Sequence, residues 1–144
     1  MSQTVDAHLL LYASDETSPF HARAVTFLEQ LARGRSLVYL FWPTVMAYLR
    51  IATHSSVFAQ PLTPAAAIAN IEALLTLPNV QTTGEQERFW QVYRDAAETA
   101  AVTGNHVPDA YLVALMRENG VRTIWTNDRD FRRFDGIAVR DPFA

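Results

Sequence analysis

Ser36-Leu37-Val38-Tyr39-Leu40-Phe41 is an unbroken apolar run of strand length. A strand with one wet face alternates apolar and polar residues, whereas a strand covered on both faces need not. The run therefore predicts a buried strand in a parallel sheet. The flanks agree. Upstream, Phe20, Ala24, Phe27, Leu28 and Leu31 recur at helical spacing. Ser18 would cap that helix, Pro19 would occupy its first position and Gly34 would end it. Downstream, Pro43 opens a helix through Val45, Met46, Leu49 and Ile51.

The same alternation extends to both ends. Gln3-Thr4-Val5 reads as the first strand, and His8 to Ala13 as a helix opening just after Asp6. A loop from His54 to Leu62 leads to a helix capped by Thr63-Pro64, with Ile68, Ile71, Leu74 and Leu75 on its apolar face. Pro78 closes it, and Asn79 to Thr83 reads as the third strand. Glu85 and Glu87 would sit in the first turn of the next helix, where acids favour the dipole. Its core stripe is Phe89, Val92, Tyr93, Ala96 and Ala100. Gly104 to Pro108 breaks the chain, and a helix from Asp109 ends at the Asn119-Gly120 C-cap. Arg122 to Thr126 reads as a fourth strand and Ile137-Ala138-Val139 as a fifth. Strands alternating with helices imply an α/β sandwich around a mostly parallel sheet. A length of 144 residues suits one domain spanning 1–144.

Composition narrows the function. No apolar run approaches the length needed to cross a bilayer. The start of the chain lacks a basic segment, and Asp6 interrupts its apolar stretch, so a signal peptide is not expected. With no cysteine there is no disulfide or thiolate metal site, and a cytoplasmic location is the default. A net charge of −3 argues against coating nucleic acid through a broadly basic surface. All 12 basic residues are Arg, which suits bidentate phosphate contact, although genome base composition produces the same bias.

Four aspartates carry the chemical signal: Asp6, Asp109, Asp128 and Asp130. In open α/β sheets ligands bind outside the carboxyl ends of the strands. Asp6 follows the first strand, Asp128 and Asp130 follow the fourth, and Asp109 starts a helix, so one end of the sheet can gather them. Each has an ordinary explanation as well. Asp109 could be a helix-start charge, Asp128 an Asx turn with Asn127, and Asp130 the cap of a short turn. Asp6, directly after a buried strand, has little structural reason to be acidic. Carboxylates in one cleft repel, by about 4 kcal/mol for a pair roughly 4 Å apart at an effective dielectric near 20. A fold tolerates this by protonation or by binding a cation, and oxygen ligands favour Mg²⁺ or Mn²⁺.

Val5-Asp6-Ala7-His8-Leu9-Leu10-Leu11-Tyr12-Ala13, Val107-Pro108-Asp109-Ala110-Tyr111-Leu112 and Thr126-Asn127-Asp128-Arg129-Asp130-Phe131, in this order and spacing, resemble the PIN-domain family. The match is to the VapC toxin type of bacterial toxin–antitoxin pairs, and it spans essentially the whole chain. It implies a three-layer α/β/α fold and a Mg²⁺- or Mn²⁺-dependent endoribonuclease. It also implies a VapB-like antitoxin that blocks the site, and a homodimer. By position, Asp6 and Asp109 match the principal metal ligands. Asp128 matches a further acid of that cluster, Asp130 the acid of an Asp-Phe pair, and Thr126 a polar residue lining the site. Two departures stand out. His8 replaces a small polar residue, and Ala47 stands where most members carry Glu. No acid occurs between Glu29 and Glu72.

Candidate phosphate donors are Arg50, Arg129, Arg132 and Arg133, the last two equally readable as a solvated pair. Arg50 could instead pair with a site carboxylate. His8 is expected to cap or pack, and His106 to touch substrate. Trp90 and Trp125 are expected in the core, while Trp42 fits either core packing or base stacking. The absent acid at Ala47 keeps open a catalytically weak PIN module that binds RNA or protein. A phosphatase of the haloacid dehalogenase type fits poorly, since it needs Asp where His8 stands and a Lys that this chain lacks.

Overall fold

The computed structural model describes residues 2–144. The first strand, β1 (Ser2–Val5), leads into α1 (Ala7–Ser14) and α2 (His21–Arg33). Next come β2 (Leu37–Phe41), α3 (Trp42–Ala52), α4 (Pro64–Leu75) and β3 (Val80–Thr83). The chain continues through α5 (Phe89–Thr99), a 3₁₀ turn (Gly104–His106) and α6 (Val107–Glu118). It ends with β4 (Thr123–Trp125), a second 3₁₀ turn (Arg129–Arg133) and β5 (Ala138–Arg140).

The strands form one sheet in the order β3-β2-β1-β4-β5, and every pairing is parallel. β1 is therefore central, with Thr4 opposite Tyr39 on one side and Ile124 on the other. Side chains alternate between two cores. Val5 and Leu40 face the one closed by α1, α2, α3 and α4, while Phe41 and Ile124 face the one closed by α5 and α6. The result is the expected three-layer α/β/α sandwich. Successive strands step one way from β1 to β3, then reverse to β4 on the other side of β1. That reversal makes the crevice beyond the carboxyl ends of β1 and β4 the natural ligand position.

Several expectations need correction. The second helix starts at His21, not at Ser18-Pro19: Ser18 Oγ accepts from Phe20 N at 3.1 Å and makes a turn instead of a cap. Glu85 and Glu87 lie ahead of α5. The acid at that helix start is Glu118 of α6, which accepts from Gln86 N at 2.8 Å and Arg88 N at 2.9 Å. α6 begins at Val107, because a proline in the first turn forfeits no helical hydrogen bond. Trp125 packs on Phe27, ring centroids 4.9 Å apart. Trp90, expected in the core, is 64% exposed. Among the described residues no helix is long and apolar enough to cross a membrane.

Candidate functional site

Asp6 is the N-cap of α1, with extended backbone and its side chain accepting from His8 N. The structural reason for an acid after β1, missing from the sequence reading, is therefore helix capping. The same carboxylate turns into a cleft. Its Oδ2 accepts from Thr126 Oγ1 at 2.8 Å and lies 3.1 Å from His8 Nδ1. Thr126 follows β4 and is buried, and its hydroxyl also accepts from Asp128 N at 3.0 Å. One threonine thus joins the ends of the two central strands. Burial alone would raise the Asp6 pKa, but the hydrogen bond and charge of His8 and the Thr126 hydroxyl outweigh it and hold it below the ordinary 3.8. His8 is correspondingly raised above 6.5, chiefly by its bond to Asp6, against burial and with help from the charges of Asp6, Asp128 and Asp109.

Asp109, in the first turn of α6, lines the same cleft as Asp6. Its pKa is raised, first by burial and then by repulsion from Asp128 and Asp6, with the His106 ring opposing. His106 Nδ1 lies 3.5 Å from Asp109 Oδ2 and 3.6 Å from Asp130 Oδ2. Arg133 Nη2 sits 3.2 Å from His106 Nε2. A guanidinium only donates, so Nε2 accepts and Nδ1 carries the hydrogen that faces the two acids. Arg133 also donates from Nε to the Asp130 carbonyl at 3.2 Å.

The structure thus brings Asp6 and Asp109 into one cleft, with Thr126 behind Asp6. Asp128 is close enough for its charge to act on both His8 and Asp109. Its Oδ1 accepts from Asp130 N at 2.9 Å, so the expected turn closes on Asp130, not Asn127. Asp130 is half-exposed and joins Asp109 and His106, donor atoms of the three lying within 4.8 Å of one another. Arg50 and Arg129 are exposed and do not line the cleft, and Arg50 pairs with no carboxylate among the described residues. His106 and Arg133 carry more of the site than their sequence context suggested. The readable signal was His106 three residues before Asp109, one turn away on the same stretch of helix.

The acids' nearest basic partners among the described residues are all His: His8 beside Asp6, and His106, neutral when its Nε2 accepts from Arg133, beside Asp109 and Asp130. No arginine among them neutralises the acids. With the His106 hydrogen turned inward, the ligands on offer are carboxylate oxygens, the kind a hard divalent cation prefers: Asp109 and Asp130 cluster around His106, and Asp6 lines the same cleft as Asp109 without joining that cluster. Ala47 lines the cleft from α3, so that wall supplies no acid.

A PIN domain family model matches residues 4–137. Ribonuclease VapC48 of Mycobacterium tuberculosis is 49% identical over 144 residues, covering 100% of this chain and 99% of the relative. Ribonuclease VapC37 of the same organism is 31% identical over 97% of this chain and 96% of its own length. Among solved structures, VapBC-1 from nontypeable Haemophilus influenzae aligns over 100% of both chains with a TM-score of 0.71 at 15% identity. M. tuberculosis VapC20, a toxin that cleaves the sarcin-ricin loop, covers 96% of this chain and 98% of its own at a TM-score of 0.68 and 16% identity. Those two likenesses speak for the fold, and the sequence relatives for the lineage. With the ordered acid motifs, their placement at the sheet's reversal point and a family match over nearly its full length, the chain belongs to the PIN-domain family, in its VapC branch.

Proposed function

We propose that the protein is a metal-dependent endoribonuclease, the toxin of a VapBC-type pair, in which residues 1–144 act as one domain. The observation that carries this reading is the acid cleft beyond β1 and β4, where Asp6 and Asp109 meet with no arginine among the described residues to neutralise them. Mg²⁺ or Mn²⁺ is the cofactor such a donor set favours. When bound, the cation polarises the phosphate and lowers the pKa of a water. The chain's own residues do the rest. Asp6 and Asp109 hold the cation, and Asp128 and Asp130 complete the acid ring. Thr126 fixes the Asp6 carboxylate through its 2.8 Å bond. His106, oriented by Arg133, keeps Asp109 and Asp130 facing the same point.

The relatives support an RNA substrate, since they are named ribonucleases. The VapBC complex among the structural neighbours supports a VapB-like antitoxin as partner. A homodimer is part of the same reading. The test is cleavage of total RNA by purified protein with Mg²⁺ or Mn²⁺. Activity should vanish with chelator and in Asp6→Asn and Asp109→Asn while the fold persists. Undiminished cleavage by either variant would overturn the assignment. Metal-independent RNA binding without cleavage by the wild type would favour the alternative of a binding module, to which Ala47 in the cleft wall lends its weight.

A further inference from the structure

We propose that Trp42, Met46 and Arg50 form a track along the outer edge of the acid cleft that holds single-stranded RNA, with a base stacked on Trp42 and a phosphate on Arg50. The track rests on the ribonuclease reading above and deepens it, naming how the strand is gripped beside the site.

The three residues are spaced four apart on α3, so they form one stripe. Each directly precedes a residue that lines the cleft: Pro43, Ala47 and Ile51. The stripe therefore runs along the cleft wall, one helical position further out. Trp42 is 42% exposed and Met46 56% exposed, so both offer apolar surface to solvent beside the cleft. Arg50 is exposed and pairs with no carboxylate among the described residues. The indole is also held in place. Trp42 Cδ1 lies 3.4 Å from the position a Cβ would take on Gly84, an ordinary van der Waals distance, so the edge of the ring sits against the chain just after β3.

The chemistry of the cleft demands such a grip. Its carboxylates repel an RNA backbone, and a cation held there would engage only the phosphate to be cut, so grip on the neighbouring nucleotides must come from groups outside the acid ring. Sequence-tolerant grip on single strands comes from aromatic stacking plus cationic contact with phosphate, and the stripe offers both. A protein partner is less well served. A standard interface covers about 800 Å² per side, far more than two exposed apolar side chains, whereas one indole matches one base.

The test measures binding apart from turnover. In the cleavage-dead Asp109→Asn protein, a short single-stranded RNA of mixed sequence should quench tryptophan fluorescence. Adding Trp42→Ala should remove most of the quench and weaken binding by at least about five-fold. Trp42→Phe should restore most of the affinity, which separates stacking from a folding defect. Arg50→Ala should lower the slope of log affinity against log salt by about one. Affinity within about two-fold of the parent in Trp42→Ala would overturn the track. So would a shift from dimer to monomer in sedimentation with RNA affinity unchanged, which would assign the stripe to a second copy of the chain. A wild type that cuts no RNA, yet shows the Trp42-dependent quench, would refute the ribonuclease reading and leave the track standing.

Discussion

Asp109→Asn should remove activity and, in metal-free protein, raise stability. Oxygens of Asp109 and Asp130 lie within 4.8 Å of each other beside His106. Two charges at that spacing repel by about 1 kcal/mol in water and about 3 kcal/mol at an effective dielectric of 20. Asp130 is half-exposed, so the lower end applies. The amide oxygen that replaces the carboxylate can still accept from His106 Nδ1, so little is lost in exchange. A net gain of about 1 kcal/mol moves the melting temperature up by about 3 °C in a domain of this size. Divalent cation should then reverse the order of the two proteins. At a hundred-fold excess over its dissociation constant it should stabilise the wild type by about 2.7 kcal/mol, and the variant far less. The assay is thermal unfolding with chelator and with Mn²⁺, read by circular dichroism. A variant that melts below the wild type in chelator and gains the same increment with Mn²⁺ would refute a site built on repelling carboxylates.

Other outcomes follow from the same contacts. Thr126→Val strips Asp6 of a donor and leaves Asp128 N without its acceptor; unfolding in urea should report a loss of about 2–4 kcal/mol, and turnover should drop roughly ten- to a hundred-fold. The raised pKa of His8 makes its bond to Asp6 a stabilising contribution that is complete below 6.5 and fades as pH rises through the elevated value. Metal-free stability should therefore decline as pH rises above 6.5, and His8→Asn should flatten that decline in urea titrations at a series of pH values. At the acid end Asp6, held below 3.8, loses its contribution as pH falls through its depressed pKa, so Asp6→Asn should blunt acid unfolding. Tyr48 is buried, with its hydroxyl 2.7 Å from Ser14 Oγ and 3.0 Å from Asn70 Nδ2. Tyr48→Phe should cost about 1–3 kcal/mol while cleavage of RNA continues, since these partners lie apart from the acids.

The fold was legible where burial dictates pattern. β2 could be read because a strand covered on both faces has no polar alternation to blur it, and the helix stripes could be read by period. Helix starts were less legible because local hydrogen bonding competes there. Ser18 spends its hydroxyl on a turn, and α5 receives its N-terminal acid from Glu118, 32 residues beyond Gln86, which no local rule can supply. Trp90 defeated expectation for a related reason. Size and apolarity predict burial only on average, and its neighbours Phe89 and Tyr93 supply the packing while the indole stays outside.

The site was legible to the extent that topology creates it. Asp6 and Asp109 could be placed in one cleft from strand ends and helix starts alone, because parallel sheets direct their loops to one edge. The tuning was not legible, since it depends on which hydrogen atom faces which oxygen. Arg133 lies 27 residues from His106, yet its guanidinium decides that the imidazole presents a donor to Asp109 and Asp130. With that tautomer the ring can hold two acids together but cannot replace a cation, and the charge they share stays uncompensated. Asp6 differs, since His8 and Thr126 already satisfy it. The cleft is therefore asymmetric before any metal arrives: Asp6 is ionised and fixed, whereas Asp109 is reluctant to ionise. An incoming divalent cation gains most by relieving Asp109, so loss of metal affinity should be larger for Asp109→Asn than for removal of the half-exposed Asp130 carboxylate.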